Sequence, residues 1–311
     1  MQTIFVTGGS GFIGSNYLNQ CVPLYPAIQF VNIDCLTYAS KMSNVTVVDA
    51  SNYHFEQVDI RDNEALETVF LKYTPTGVIN FAAESNVDKS IESADAFIQT
   101  NVAGTNNLLR LSLKYKVARY HQISTDEVYG SLGMNDAAFT ELHLLAPNNP
   151  YSASKAAADM LVRSYHKTFG LDTVITRCSN NFGPNQDDTK LIPRFITKLQ
   201  TGGSVPLYGD GSNRRDWLHV SDHVRAIDLV FRGGRAGEVY NVGSDHDFSN
   251  LEVVRMLLSL TGRAEDAIEF VTDRLGHDFR YAINAEKITN ELGWQPQVSF
   301  AEGLKDLVSP Q

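Results

Sequence analysis

Ile4-Phe5-Val6-Thr7-Gly8-Gly9-Ser10-Gly11-Phe12-Ile13-Gly14 decides the fold, because a β-branched and aromatic run breaks there into glycines and resumes as a helical pattern. The glycines at 9, 11 and 14 have GxGxxG spacing. The first permits a tight turn, the second lets the backbone approach a pyrophosphate, and the third allows close helix–strand packing, while the helix N-terminus stabilises the anion. The string alone is weak. Its context is what counts: a strand before it, a helix after it, and Asp34 twenty positions beyond Gly14 at the end of a second strand. A carboxylate there accepts hydrogen bonds from an adenosine ribose and repels a 2′-phosphate, so NAD is expected rather than NADP.

Outward from this stretch, short β runs alternate with helical periodicity through the first 180 residues. Strands are expected near 3–7, 29–34, 54–58, 77–82, 118–124 and 172–177, and helices near 12–22, 62–73, 94–116 and 151–169. Pro150 falls at or beside the first helical position, where a missing N–H costs nothing. Alternation of this kind predicts an α/β fold, a Rossmann-type doubly wound parallel sheet. Beyond Cys178, Gly-, Pro- and Asn-containing loops separate short elements, which reads as a smaller α/β substrate-binding lobe. The expected division is 1–182 for the NAD-binding part, with 216–243 returning to it through a strand at 237–242, and 183–215 with 244–311 for the lobe.

A chain of 311 residues, 43% hydrophobic, can bury a large core. No apolar run reaches about eighteen residues and no leader pattern is present, so a cytoplasmic protein is expected. The formal charge of −10 argues against nucleic acid as a partner. Cys21, Cys35 and Cys178 have no metal-ligand spacing and read as buried thiols. His219 and His223 stand four apart, but no HExxH pattern accompanies them, so no metal is expected.

Tyr151-Ser152-Ala153-Ser154-Lys155 puts a phenol and an ammonium on one face at the start of a helix. A fixed cation favours the phenolate, and an oxidised nicotinamide would add positive charge, so Tyr151 can take a proton from a substrate hydroxyl as hydride leaves the same carbon. The preceding strand, Arg119–Thr125, ends in Ser-Thr and runs straight into Asp126-Glu127. Open α/β sheets bind ligands beyond the carboxyl ends of their strands, so these acids belong beside the nicotinamide. Two adjacent carboxyls suggest further proton transfers, one acid held protonated to expel a hydroxyl and the other ionised to remove a carbon-bound proton. The bland alternative is a pair of acids that cap the next segment or face water.

With these residues in place the chain resembles, essentially end to end, the dTDP-glucose 4,6-dehydratases of the extended short-chain dehydrogenase/reductase family. The matching strings include Asp34-Cys-Leu-Thr-Tyr38, Phe81-Ala-Ala-Glu-Ser85, Ser124-Thr-Asp-Glu-Val-Tyr-Gly130, Tyr151-Ser-Ala-Ser-Lys155, Cys178-Ser-Asn-Asn-Phe-Gly-Pro184, Lys190-Leu-Ile-Pro193, Tyr208-Gly-Asp-Gly211, Arg215-Asp-Trp-Leu218 and Gly276-His-Asp278. The resemblance implies that Tyr151 deprotonates the hydroxyl on sugar carbon 4, that Glu127 removes the carbon-5 proton, that Asp126 protonates the departing carbon-6 hydroxyl, and that hydride returns to carbon 6. It implies further that Thr125 lies near the carbon-4 oxygen and that Lys155 anchors the nicotinamide ribose and lowers the Tyr151 pKa. Around NAD it places Gly8, Gly11, Phe12, Ile13, Gly14, Asp34, Leu36, Thr37, Asp59, Ile60, Ala82, Ala83, Ser85, Thr100, Tyr151, Lys155 and Asn181. Around the sugar nucleotide it places Ser85, Thr125, Asn180, Lys190, Leu191, Pro206, Tyr208, Arg215, Asn250, Arg274 and His277. A diphosphate wants guanidinium donors, so Arg215 and Arg274 are plausible clamps, although a surface salt bridge explains either one alone. Asn250 also reads as a helix N-cap. A homodimer through helices 94–116 and 151–169 is implied as well.

Asn86 stands where the family usually has His, Cys35 where Lys is common, and Leu275 where Pro usually precedes Gly-His-Asp. Competing readings are the same chemistry on UDP-glucose, a nucleotide-sugar 4-epimerase, and a non-catalytic NAD sensor. The last two give Asp126 and Glu127 no role.

Overall fold

The computed structural model describes residues 2–273 and 276–309. The opening run forms β1 (Gln2–Thr7), and the glycines lead into α1 (Phe12–Leu24). There follow β2 (Ile28–Ile33), β3 (Tyr53–Glu56), α2 (Asn63–Tyr73), β4 (Gly77–Asn80) and α3 (Val87–Glu92). Next come α4 (Asp95–Phe97), α5 (Thr105–Lys114), β5 (Arg119–Thr125), α6 (Pro150–Phe169) and β6 (Thr173–Cys178). Past residue 178 lie β7 (Asn180–Phe182), α7 (Leu191–Gln200), β8 (Val205–Tyr208), β9 (Arg214–His219), α8 (Val220–Gly233) and β10 (Val239–Val242). The chain closes with β11 (Asp247–Ser249), α9 (Asn250–Thr261), β12 (Ile268–Val271), β13 (Arg280–Tyr281), α10 (Glu286–Leu292) and α11 (Phe300–Val308).

Seven parallel strands make the main sheet in the order β10-β6-β5-β4-β1-β2-β3. The doubly wound Rossmann architecture expected from the sequence is therefore present. The period of two within β1 sorts its side chains between two cores. Ile4 and Val6 pack with Tyr17 and Leu18 of α1 and with Val224 and Ile227 of α8, whereas Phe5 packs with Leu66, Phe70, Leu108 and Val162 on the opposite face. The chain leaves β1 for β2 in one direction and reaches β4 in the other, so a crevice opens at the carboxyl ends of these two strands.

Two elements place Asp126, Glu127, Tyr151 and Lys155. Asn149 caps α6 by accepting the Ser152 N–H at 2.9 Å, Pro150 occupies the first turn, and Gly170 ends the helix at φ +72°. Strand β5 ends at Thr125, whose hydroxyl caps the short turn Asp126–Tyr129. The continuous helix expected over 94–116 is instead α4, a π-helical stretch over Ile98–Gly104, and α5. Within that stretch Asn101 bonds both backbone groups of Glu84 and the Ser154 hydroxyl, and a Cβ on Gly104 would lie 2.6 Å from Ile60.

A second sheet is built around β9, which pairs with β7, β11 and β13, and β8 pairs with β12. Phe182, Phe195, Leu207, Trp217, Leu257 and Phe300 share their own apolar cluster beneath these strands. Among the described residues no helix is long and apolar enough to cross a membrane.

Candidate active site

A cleft runs along the carboxyl ends of β1, β2, β4, β5 and β6. Its first wall is the glycine turn. Gly8 has φ +68°, and a Cβ there would sit 2.7 Å from the Ala82 nitrogen; at Gly14 a Cβ would meet the Gly8 carbonyl oxygen at 2.4 Å. Only bare backbone fits, which leaves the start of α1 open to the cleft as a cradle for an anion. Asp34 is buried at the end of β2, one oxygen accepting the Ser10 N–H at 3.0 Å and the other the Leu36 N–H at 2.8 Å and the Ser40 hydroxyl at 2.9 Å. The loop thus aims this carboxylate at the cleft wall it helps to form. Thr37, Asp59, Ile60, Ala82, Ala83, Ser85, Thr100 and Asn181 also line the cleft, with Gly11, Phe12 and Ile13. Leu36 is not among the lining residues and takes φ +57° to deliver its N–H to Asp34. This donor set suits a dinucleotide: amides for a pyrophosphate, an acid for ribose hydroxyls, and apolar side chains for an adenine.

Thr125, Asp126, Glu127, Tyr151 and Lys155 all line the same cleft. Asp126 is 2% exposed. Burial pushes its pKa well up, the neighbouring Glu127 and Asp216 charges add to this, and Arg215 with the Thr125 hydroxyl opposes it. Burial thus favours the protonated form of Asp126. Its Oδ1 accepts from Thr125 Oγ at 3.3 Å, while Oδ2 is buried with no hydrogen-bond partner. Glu127 is less enclosed, and its Oε2 lies 3.3 Å from the Ser152 hydroxyl. The unlike environments that the adjacent acids require are present.

Tyr151 departs from the expectation that its phenol is acidified. Burial raises its pKa well above the ordinary 10, the charges of Glu127, Cys178 and Asp126 raise it further, and the Thr125 hydroxyl pulls the other way. Lys155 gives its ammonium to the Ile123 carbonyl oxygen at 2.6 Å, and burial lowers its own pKa. The helical spacing holds, but in the protein alone the cation serves a carbonyl and the carboxyls dominate the phenol.

The residues assigned to a sugar nucleotide divide. Ser85, Thr125, Asn180 and Lys190 line the cleft, with the Lys190 ammonium donating to the Ser85 carbonyl oxygen at 2.9 Å. Leu191, Pro206, Tyr208, Arg215, Asn250 and His277 lie outside its lining, and Arg274 and Leu275 fall outside the described residues. Arg215 is no surface salt bridge. Its guanidinium is buried, donates to the carbonyl oxygens of Arg214 and Asp278, and stacks over Tyr281 at 4.3 Å. His277 pairs with Asp273 through Nδ1 at 2.6 Å. Asn250 is the first residue of α9 and not its cap; Ser249 caps that helix in a reciprocal box with Glu252.

His219 caps α8, and His223 Nδ1 meets Asn181 Oδ1 at 2.9 Å. Among the described residues no group of three or more His, Cys, Asp or Glu side chains could hold a metal. Sequence reasoning missed Tyr38, Ser40, Glu84, Ser179 and Gln186, all of them in the cleft lining. Position was the available signal, since each follows closely on a strand end. Cys178, read as an inert core thiol, also lines the cleft, and burial pushes its pKa up.

Comparison with known proteins matches residues 5–307 to the family model described as GDP-mannose 4,6 dehydratase. A curated relative, the low-salt glycan biosynthesis protein Agl12 of Haloferax volcanii, is 50% identical over 98% of this chain and 97% of its own. The dTDP-glucose 4,6-dehydratase of Streptomyces niveus is 46% identical over 98% of this chain and 91% of its own. Among solved structures, the dTDP-glucose 4,6-dehydratase of Bacillus anthracis in complex with NAD has a TM-score of 0.92 and 48% identity, covering 99% of this chain and 96% of that one.

Proposed function

The chain belongs to the GDP-mannose 4,6-dehydratase family, and from that membership we propose that it is an NAD-dependent dTDP-glucose 4,6-dehydratase, forming dTDP-4-keto-6-deoxyglucose. One observation carries this reading: the buried Asp126, whose pKa burial raises, stands beside the less enclosed Glu127 in the cleft that also holds Tyr151 and Lys155. An epimerase has no use for that pair.

Gly11 to Gly14 would cradle the pyrophosphate of the dinucleotide, Asp34 its adenosine ribose, and Lys155 the nicotinamide ribose. The cofactor, when bound, supplies a reversible hydride acceptor. Tyr151 receives the proton of the carbon-4 hydroxyl, with Thr125 directing that oxygen. The carbonyl so formed acidifies the proton on carbon 5, which Glu127 removes. Asp126 then gives its proton to the departing carbon-6 oxygen, so that water leaves an enone, and Glu127 returns a proton to carbon 5 as carbon 6 takes back the hydride lost from carbon 4. Lys190, Asn180 and the buried Arg215 are the proposed contacts for the sugar nucleotide.

A division into 1–182 with 216–243, and 183–215 with 244–311, is supported by the pairing of β10 with β6 and the packing of α8 on α1. A homodimer is supported by Ile98 and Met160, large apolar side chains exposed on the expected helices. Three free cysteines suit a reducing, cytoplasmic compartment. The test is incubation with dTDP-glucose, UDP-glucose and GDP-mannose in deuterated water, followed by mass spectrometry and NMR. A 4-keto-6-deoxy product from dTDP-glucose with deuterium at carbon 5 is expected; a galacto product, or none, would overturn the proposal.

A further inference from the structure

Ser152 follows the catalytic tyrosine and is fully buried. Its backbone N–H donates to Asn149 Oδ1, which fixes that oxygen as the acceptor of the amide group. Its hydroxyl lies 3.0 Å from the same Asn149 Oδ1 and 3.3 Å from Glu127 Oε2. A hydroxyl has one proton to donate, and an amide oxygen can only accept. Both contacts are therefore made together only when Glu127 carries a proton and donates it to Ser152. When Glu127 is ionised, the Ser152 hydroxyl turns and donates to the carboxylate, and Asn149 keeps its bond to the backbone N–H.

We propose that Ser152 is a positioning residue whose hydroxyl, set between Asn149 Oδ1 and Glu127 Oε2, holds the Glu127 carboxyl in one place through both of its protonation states. The inference rests on the reading of Glu127 as the carbon-5 base. Oxidation at carbon 4 leaves the charge of Glu127 unchanged, whereas elimination requires Glu127 to gain a proton. Loss of the hydroxyl thus acts on the second step and spares the first. No substrate contact is required of Ser152, which touches the reaction only through Glu127.

The experiment mixes NAD-loaded Ser152→Ala enzyme rapidly with dTDP-glucose and follows both the near-ultraviolet absorbance of reduced nicotinamide and the 4-keto-6-deoxy product. Reduction at the wild-type rate is expected, with product formation slower by about tenfold or more, so that reduced nicotinamide accumulates. Product formation at the wild-type rate, or equal slowing of both steps, would overturn the proposal. The helix cap survives the substitution because its donor is the backbone N–H. If the alanine variant is nonetheless recovered unfolded, Ser152→Cys, with a weak S–H donor in similar volume, should show the same split. Glu127→Gln run in parallel separates the two claims. Normal water loss by that variant would remove the base itself, whereas a blocked Glu127→Gln beside an unaffected Ser152→Ala would remove only the role of Ser152.

Discussion

Asp216 on β9 offers a test of the electrostatics behind Asp126, the proposed catalytic acid. It is 1% exposed and accepts from the Ser244 N–H and hydroxyl, the latter at 2.5 Å. Burial raises its pKa from the ordinary 3.8 to about 7, against the two Ser244 donors and with help from Asp245. Between those pH values the unfolded chain ionises this carboxyl while the folded chain keeps it protonated. The stability it contributes is thus complete below pH 3.8 and is lost as pH rises towards 7. At about 1.4 kcal/mol for each pH unit, the loss amounts to about 4 kcal/mol. Asp216→Asn does not titrate, and any fixed cost of the amide is the same at every pH. Variant minus wild-type stability should therefore climb by about 4 kcal/mol between pH 4 and 7 in urea unfolding. A flat difference would show that Asp216 ionises in the folded protein as easily as in the unfolded chain. Catalysis supplies a second readout, because the Asp216 charge helps to hold Asp126 protonated. Above about pH 7, where Asp216 ionises, the Asn variant should lose activity on the alkaline side at a lower pH than wild type.

Glu127→Gln should let substrate reduce bound NAD but stop water loss, seen as persistent reduced nicotinamide; elimination at the normal rate would reject Glu127 as the base. Gly14→Ala would force a Cβ to within 2.4 Å of the Gly8 carbonyl oxygen, so the turn must open. NAD affinity should fall by about fivefold to 150-fold in a calorimetric titration, from a cost of about 1–3 kcal/mol. Arg177→Met leaves the buried Asp159 carboxylate without its 2.9 Å partner, at a cost of about 3–5 kcal/mol read from the urea midpoint.

The sheet was legible because its strands are buried on both faces, and Ile4-Phe5-Val6 reads the same whichever face each residue takes. Glycine spacing located the turn, and position at a strand end located Asp34, Asp126 and Glu127. The π-helical stretch was not legible, since moving the backbone bond from i−4 to i−5 leaves the apolar pattern of 94–116 intact. Ser249 was legible in principle as the start of Ser-Asn-Leu-Glu, yet the adjacent Asn250 is an equally good cap by type alone. Ser152 could not have been singled out, because its significance lies in a contact with a residue twenty-five positions earlier. The influence of Arg215 on Asp126, and of Glu127 on Tyr281, likewise arises only when β9 and β13 are laid beside the end of β5.

The pKa of Tyr151 ties these observations together. Burial and the Glu127 charge oppose formation of the phenolate, and Lys155 spends its ammonium on a carbonyl, so the protein alone keeps the phenol neutral. On the proposed mechanism, positive charge that favours the phenolate arrives with the dinucleotide, which ties proton removal from a substrate hydroxyl to a loaded site. The same carboxylate that makes Tyr151 hard to ionise also makes it a stronger base once ionised. On the proposed mechanism, neutralising Glu127 therefore acts on two steps in opposite senses: the phenolate forms at lower pH, and the proton on carbon 5 loses its acceptor. A site with only the tyrosine and lysine would oxidise an alcohol under milder conditions but stop there. With Glu127 as the proposed second base, the difficulty of ionising Tyr151 is the cost of having that base close enough to act on the next carbon.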